Sequence, residues 1–146
     1  MKENYLIQID GRMEQDGPDG ADNIRLMTRG SFVRRGGSFF ITYAETAATG
    51  YEGCTTTVRV AQDASKVSMT RFGPLPSQLV IEKGVRHLCH YDTGYGAMTL
   101  GVAADEIRHQ LTDAGGQVEF SYTLDMDSAG LISRNLVKIQ VRPAVS

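Results

Sequence analysis

Six side chains carry the polar chemistry that a folded interior would have to account for: Tyr43, Glu45, Thr56, Arg71, Gln78 and Tyr91. Most of them fall on the apolar parity of a run in which apolar and polar residues alternate, close to the end of that run. Glu45 continues the face of Phe39, Ile41 and Tyr43; Thr56 shares the parity of Cys54, Val58 and Val60; Arg71 follows Val67 and Met69. Gln78 fits least well, because Leu79 and Ile81 occupy the other parity. A polar group buried without a partner costs on the order of 1–3 kcal/mol, so such residues satisfy one another or meet a ligand. A carboxylate and a guanidinium facing each other would form a charge-assisted pair, and either can instead grip a polar ligand group. Two readings therefore stand side by side for Glu45 and Arg71, a structural clasp and a ligand site. Tyr43 and Tyr91 fit either reading too, as core aromatics with a bonded hydroxyl or as ligand contacts.

Other residue types with chemical potential do not gather. His87, His90 and His109 are isolated in the sequence, whereas a zinc site wants three or four converging ligands. There is no nucleophile elbow and no Ser-His-Asp order. Gly94-Tyr95-Gly96 reads as a hairpin turn and not as a phosphate loop, since no helix follows whose N-terminus would hold an anion. Arg34-Arg35-Gly36-Gly37 reads as a turn with solvated charges, and Ser133 and Asn135, on the parity of Val137, as residues bonding bulge backbone at the rim opposite to Glu45. Cys54 and Cys89 lack CxxC spacing and are expected as buried thiols. No catalytic residue, metal ligand or cofactor is assigned.

The elements that must position the six residues are strands. Period-two alternation recurs from end to end, most clearly where Val118, Phe120, Tyr122, Leu124 and Met126 interleave with Glu119, Ser121, Thr123 and Asp125. Glycine-rich punctuation separates about ten strands, expected at 4–12, 24–34, 38–46, 54–61, 66–72, 77–82, 86–93, 96–112, 117–127 and 131–142. The strand at 96–112 changes apolar parity around Ala103-Ala104, which predicts a bend or bulge there. Connections this short forbid parallel crossovers, so the strands form an antiparallel meander. So many strands in one open sheet would expose edges, which predicts an all-β, up-and-down barrel of about eight to ten strands, with a two-sheet sandwich as the alternative. In a meander the strands ending at Glu45, Arg71 and Tyr91 finish where those starting near Cys54, Ser77 and Gly96 begin. The six residues should then crowd one mouth.

Size and composition agree with a single domain spanning 1–146. The chain has 146 residues, 41% of them hydrophobic and 22% charged, an ordinary globular balance. Fifteen basic against seventeen acidic residues give a net charge of −2, which disfavours nucleic acid as a partner. The N-terminal residues lack the pattern of a signal peptide and no run is long enough to span a bilayer, so a cytoplasmic location without a membrane partner is expected.

As a set, Tyr43-x-Glu45, Gly50-x-x-Gly53 with Thr55-Thr56-Thr57, Arg71-x-Gly73, Ser77-Gln78, Glu82-Lys83-Gly84 with His87, Tyr91-x-Thr93-x-Tyr95-Gly96 and Tyr122-x-Leu124 resemble the bacterial YwiB-like family, a domain of unknown function. The resemblance runs from about residue 24 to the C-terminus and implies a calycin-like (lipocalin-like) barrel; it lends no activity. Three functions are compatible with this reading. The first is a small-molecule binder taking an amphipathic or anionic ligand at the Glu45/Arg71 mouth. The second is an enzyme using Glu45 as acid or base beside Arg71. The third is an interaction module with a filled barrel, a homodimer being its simplest assembly.

Overall fold

A computed structural model of the chain describes residues 4–15, 21–92, 96–126 and 130–144. Ten strands follow one another: β1 (Tyr5–Glu14), β2 (Ala21–Arg35), β3 (Ser38–Ala44), β4 (Thr55–Ala61), β5 (Lys66–Phe72), β6 (Ser77–Glu82), β7 (Arg86–Asp92), β8 (Ala97–His109), β9 (Gly116–Met126) and β10 (Gly130–Pro143). A single 3₁₀ turn, Ala47–Thr49, interrupts the β3–β4 connection. Every strand pairs antiparallel with its sequence neighbours, and β1 pairs with β10 as well as with β2, closing the barrel. The sandwich alternative is excluded by that closure.

Local chemistry explains the hairpins. Between β2 and β3 the chain reverses in two residues, Gly36 and Gly37, at φ of 57° and 79°. Both dihedrals suit the mirror-image turn that matches the twist of the flanking strands, and glycine adopts them without penalty. The parity change in β8 comes from a bulge between Ala104 and Glu106, just past the expected Ala103-Ala104. Asp105 is the unpaired residue there, so Ala104 shares the face of Tyr122 while Glu106 faces outward with Ser121. β1 and β2 are longer than expected at the ends that face each other, running to Glu14 and from Ala21. The sequence also places turns at Gly17-Pro18-Asp19-Gly20, Gly94 to Gly96 and Ser128 to Gly130, of which only Gly96 and Gly130 are among the described residues.

Inward-facing side chains fill the barrel and divide it into two zones. Toward the end that carries the β2–β3 turn, here the lower end, the filling is apolar: Phe32, Phe39, Val60, Val67, Ile81, Ile107, Val118, Phe120 and Val141 are buried, each worth roughly 1.5–3 kcal/mol. Phe32 and Phe39 stack at 5.9 Å between ring centroids. At the upper end the buried residues turn polar, among them Thr56, Arg71, Ser133 and Asn135.

Candidate functional site

A row of register partners crosses five strands near the upper end: Tyr43 on β3, Thr56 on β4, Arg71 on β5, Ser77 on β6 and Tyr91 on β7. Cross-strand partners share a face and sit about 4.8 Å apart, so the row places three hydrogen-bonding side chains abreast on the inner wall. Tyr43, Thr56 and Arg71 are 5%, 3% and 7% exposed. Glu45 lies one step beyond β3, held by the bond from its backbone N–H to the Cys54 carbonyl at 2.8 Å. The Thr56 hydroxyl donates to Glu45 Oε2 at 2.8 Å. Glu45 Oε1 is shielded from solvent and, among the described residues, accepts no hydrogen bond.

The phenol of Tyr43 feels this environment. Burial first, and then the negative charge of Glu45 and the neighbouring Tyr122, push its ionisation above the usual tyrosine range, while Thr56 and Arg71 oppose the rise. Tyr122 belongs to β9, on the far wall, so the two walls meet here. Behind it Tyr122 is the register partner of Asn135, whose side-chain amide donates to the Ser133 hydroxyl at 3.0 Å. The upper end thus carries polar side chains on both sides of the barrel.

Arg71 is met by the loops above it. Its Nε donates to the Leu75 carbonyl, and its guanidinium lies over the Tyr51 ring at 3.5 Å from the centroid, a cation–π contact. Gly73 lets the two loops approach so closely: at φ of 127°, a Cβ there would sit 3.0 Å from the Cys54 Cα and from the Gly53 carbonyl.

Four of the expected site residues, Tyr43, Glu45, Thr56 and Arg71, therefore share one end of the barrel and face inward. Thr56 bonds the acid, and Tyr51 and the Leu75 carbonyl are among the groups that meet the guanidinium. Gln78 is a correction: it is exposed and pairs with Thr70 on the outer face, because Ser77 is the β6 residue opposite Arg71. Tyr91 is the register partner of Ser77, and its side chain lies outside the described residues. Ser133 and Asn135 are a second correction. They bond each other at the same end as Glu45, not at the opposite rim, since β10 starts at the upper end beside the close of β9. Neither Tyr51 nor Tyr122 is among the six candidate site residues, although Tyr122 belongs to the Tyr122-x-Leu124 pattern. Tyr51 sits in a loop without alternation, and Tyr122 reads in sequence as one more core aromatic between Phe120 and Leu124.

Elsewhere, a groove of about 720 Å³ runs over β2, β1, β10, β9 and β8, lined by outward residues that include Arg12, Arg25, Arg108, Glu119, Leu136 and Lys138. Its charges answer one another: Arg25 pairs with Asp10 at 2.7 Å and Arg108 with Glu119 at 2.8 Å. Cys54 and Cys89 are free, buried thiols. Among the described residues no group of three or more acidic, histidine or cysteine side chains is placed to hold a metal, and no helix is long and apolar enough to cross a membrane.

Comparison with known proteins places this architecture. The family model described as "Domain of unknown function (DUF1934)" matches residues 7–139. The crystal structure of the ywiB protein from Bacillus subtilis is similar, with a TM-score of 0.80 and 17% sequence identity over 99% of this chain and 96% of that one. At that identity the likeness is one of fold. No curated protein matches the chain.

Proposed function

We propose that this chain, which belongs to the DUF1934 family, is a binding protein for a small amphipathic molecule, held in the polar chamber at the upper end of the barrel. A family without an assigned activity supplies no chemistry, so the reading rests on the site. The observation that carries it is Glu45 Oε1, a carboxylate oxygen shielded from solvent with no hydrogen-bond donor among the described residues. Leaving such an acceptor unmet costs on the order of 1–3 kcal/mol, and more when it is charged. That oxygen lies close to a buried guanidinium, Arg71, and to tyrosines, an arrangement suited to an occupant.

The chemistry of the chamber describes that occupant. An N–H or O–H donor on the ligand meets Glu45 Oε1, an acidic or carbonyl group is drawn toward Arg71, and an apolar portion lies toward the hydrophobic lower zone. A location inside the cell, with metabolites as the pool of ligands, belongs to this proposal.

Native mass spectrometry of protein purified from the cells that make it tests the reading. A retained small molecule, released on denaturation and lost from Glu45→Gln, is the expected result. The bare chain mass for the wild-type protein, from spray conditions that preserve weak complexes, contradicts it.

A further inference from the structure

Among the described residues, nine of the ten joints of the barrel are laddered over six to eleven residue pairs each. The tenth, between β6 and β7, is paired only at Ser77 and Tyr91. Below that pair the two strands continue side by side to a tight turn, where the Val85 N–H bonds the Glu82 carbonyl at 3.2 Å and the His87 ring meets Glu82 Oε1 at 2.9 Å. The middle of the joint is held differently. The Val80 N–H, which in a regular ladder would donate to a carbonyl of β7, donates instead to the Cys89 sulfur at 3.3 Å. A thiol sulfur is a weak acceptor, so this contact holds the wall less firmly than a peptide bond's oxygen does.

We infer that the β6–β7 seam is a lateral gate into the polar chamber, with Cys89 as its latch. Three observations converge on it. The seam is fastened at its two ends and lacks a ladder between them. Its upper fastening, Ser77–Tyr91, belongs to the same row as Tyr43, Thr56 and Arg71, so an opening there leads to the buried guanidinium. The approach to Arg71 from above is covered by Tyr51 and by the Leu75 carbonyl. What passes through the gate rests on the binding reading given above; the opening itself does not, and is measured without a ligand.

Residue-resolved amide hydrogen exchange on the full chain tests it. The N–H groups directed across the seam, that of Val80 and, by the alternation of an antiparallel pair, that of Leu88, should exchange at least about tenfold faster than laddered amides in the middle of β4 and β8. Cys89→Ala should speed these seam amides about tenfold more, and Cys89→Ser, which keeps an acceptor, should return them toward wild-type rates. Seam amides protected as well as those of β4 and β8 would overturn the inference, and the wild-type measurement alone decides that. Uniform acceleration across the whole barrel in Cys89→Ala would overturn the latch, by showing the thiol to be packing only. An empty chamber by mass spectrometry would leave both exchange results readable, so the gate and the binding proposal fail separately.

Discussion

At the scale of single residues, the upper end of the barrel shifts the ionisation of Tyr43. The phenol of Tyr43 is held neutral by burial and by the charge of Glu45, and its ionisation is pushed above the ordinary value near 10.0. The native protein therefore keeps this proton at pH values where the unfolded chain has released it. Linkage gives the sign: the stability that this group contributes is fully present below about pH 10 and is lost as pH rises further, at up to about 1.4 kcal/mol per pH unit. Urea midpoints measured from pH 8 to 11 should fall more steeply for the wild-type protein than for Tyr43→Phe. Parallel curves would place the phenol in an environment no different from water. Other tyrosines and lysines titrate in the same window, and the comparison between the two proteins removes them.

At the scale of elements, the joints depend on backbone geometry as much as on side chains. Gly36 and Gly73 both have positive φ, but only Gly73 faces a neighbouring backbone, with the Cys54 Cα and Gly53 carbonyl 3.0 Å from where a Cβ would lie. Gly36→Ala should cost about 1–2 kcal/mol, the penalty of the left-handed conformation alone. Gly73→Ala should cost about 1–3 kcal/mol beyond that, because the β3–β4 and β5–β6 loops must move apart. Denaturant midpoints of the two variants check the order, and equal losses would show that the close approach contributes nothing. Strand positions were legible because period-two alternation recurs between turn signals, β7 being placed by its flanking turns more than by its poor alternation, and the β8 bulge was legible because Leu100 and Val102 lie on one parity and Ile107 and Leu111 on the other. The weak β6–β7 joint was not. Alternation reports which way side chains point, and nothing in it distinguishes a backbone carbonyl from a thiol as the acceptor for Val80.

At the scale of the whole molecule, closure decides what lies near what. The mouth formed by Glu45, Thr56 and Arg71 could be placed from the meander alone, since each strand must start where its predecessor ends. Gln78 missed because the row enters β6 through Ser77, one residue away. The same rule places Ser133 and Asn135 at the upper end, since β10 must start where β9 finishes; that Tyr122 would influence Tyr43 was beyond reach, because the shear of a closed barrel, which sets which residues face each other across the lumen, has no local signature. The result is a barrel that is apolar below and polar above, with Glu45 Oε1 a buried acceptor that no described residue meets. A high-resolution crystal structure of protein taken from the cells that make it tests that central feature most directly. The account predicts electron density for a molecule larger than water whose donor lies about 2.6–3.2 Å from Glu45 Oε1, while a lone water at that oxygen, in an otherwise empty chamber, would contradict it.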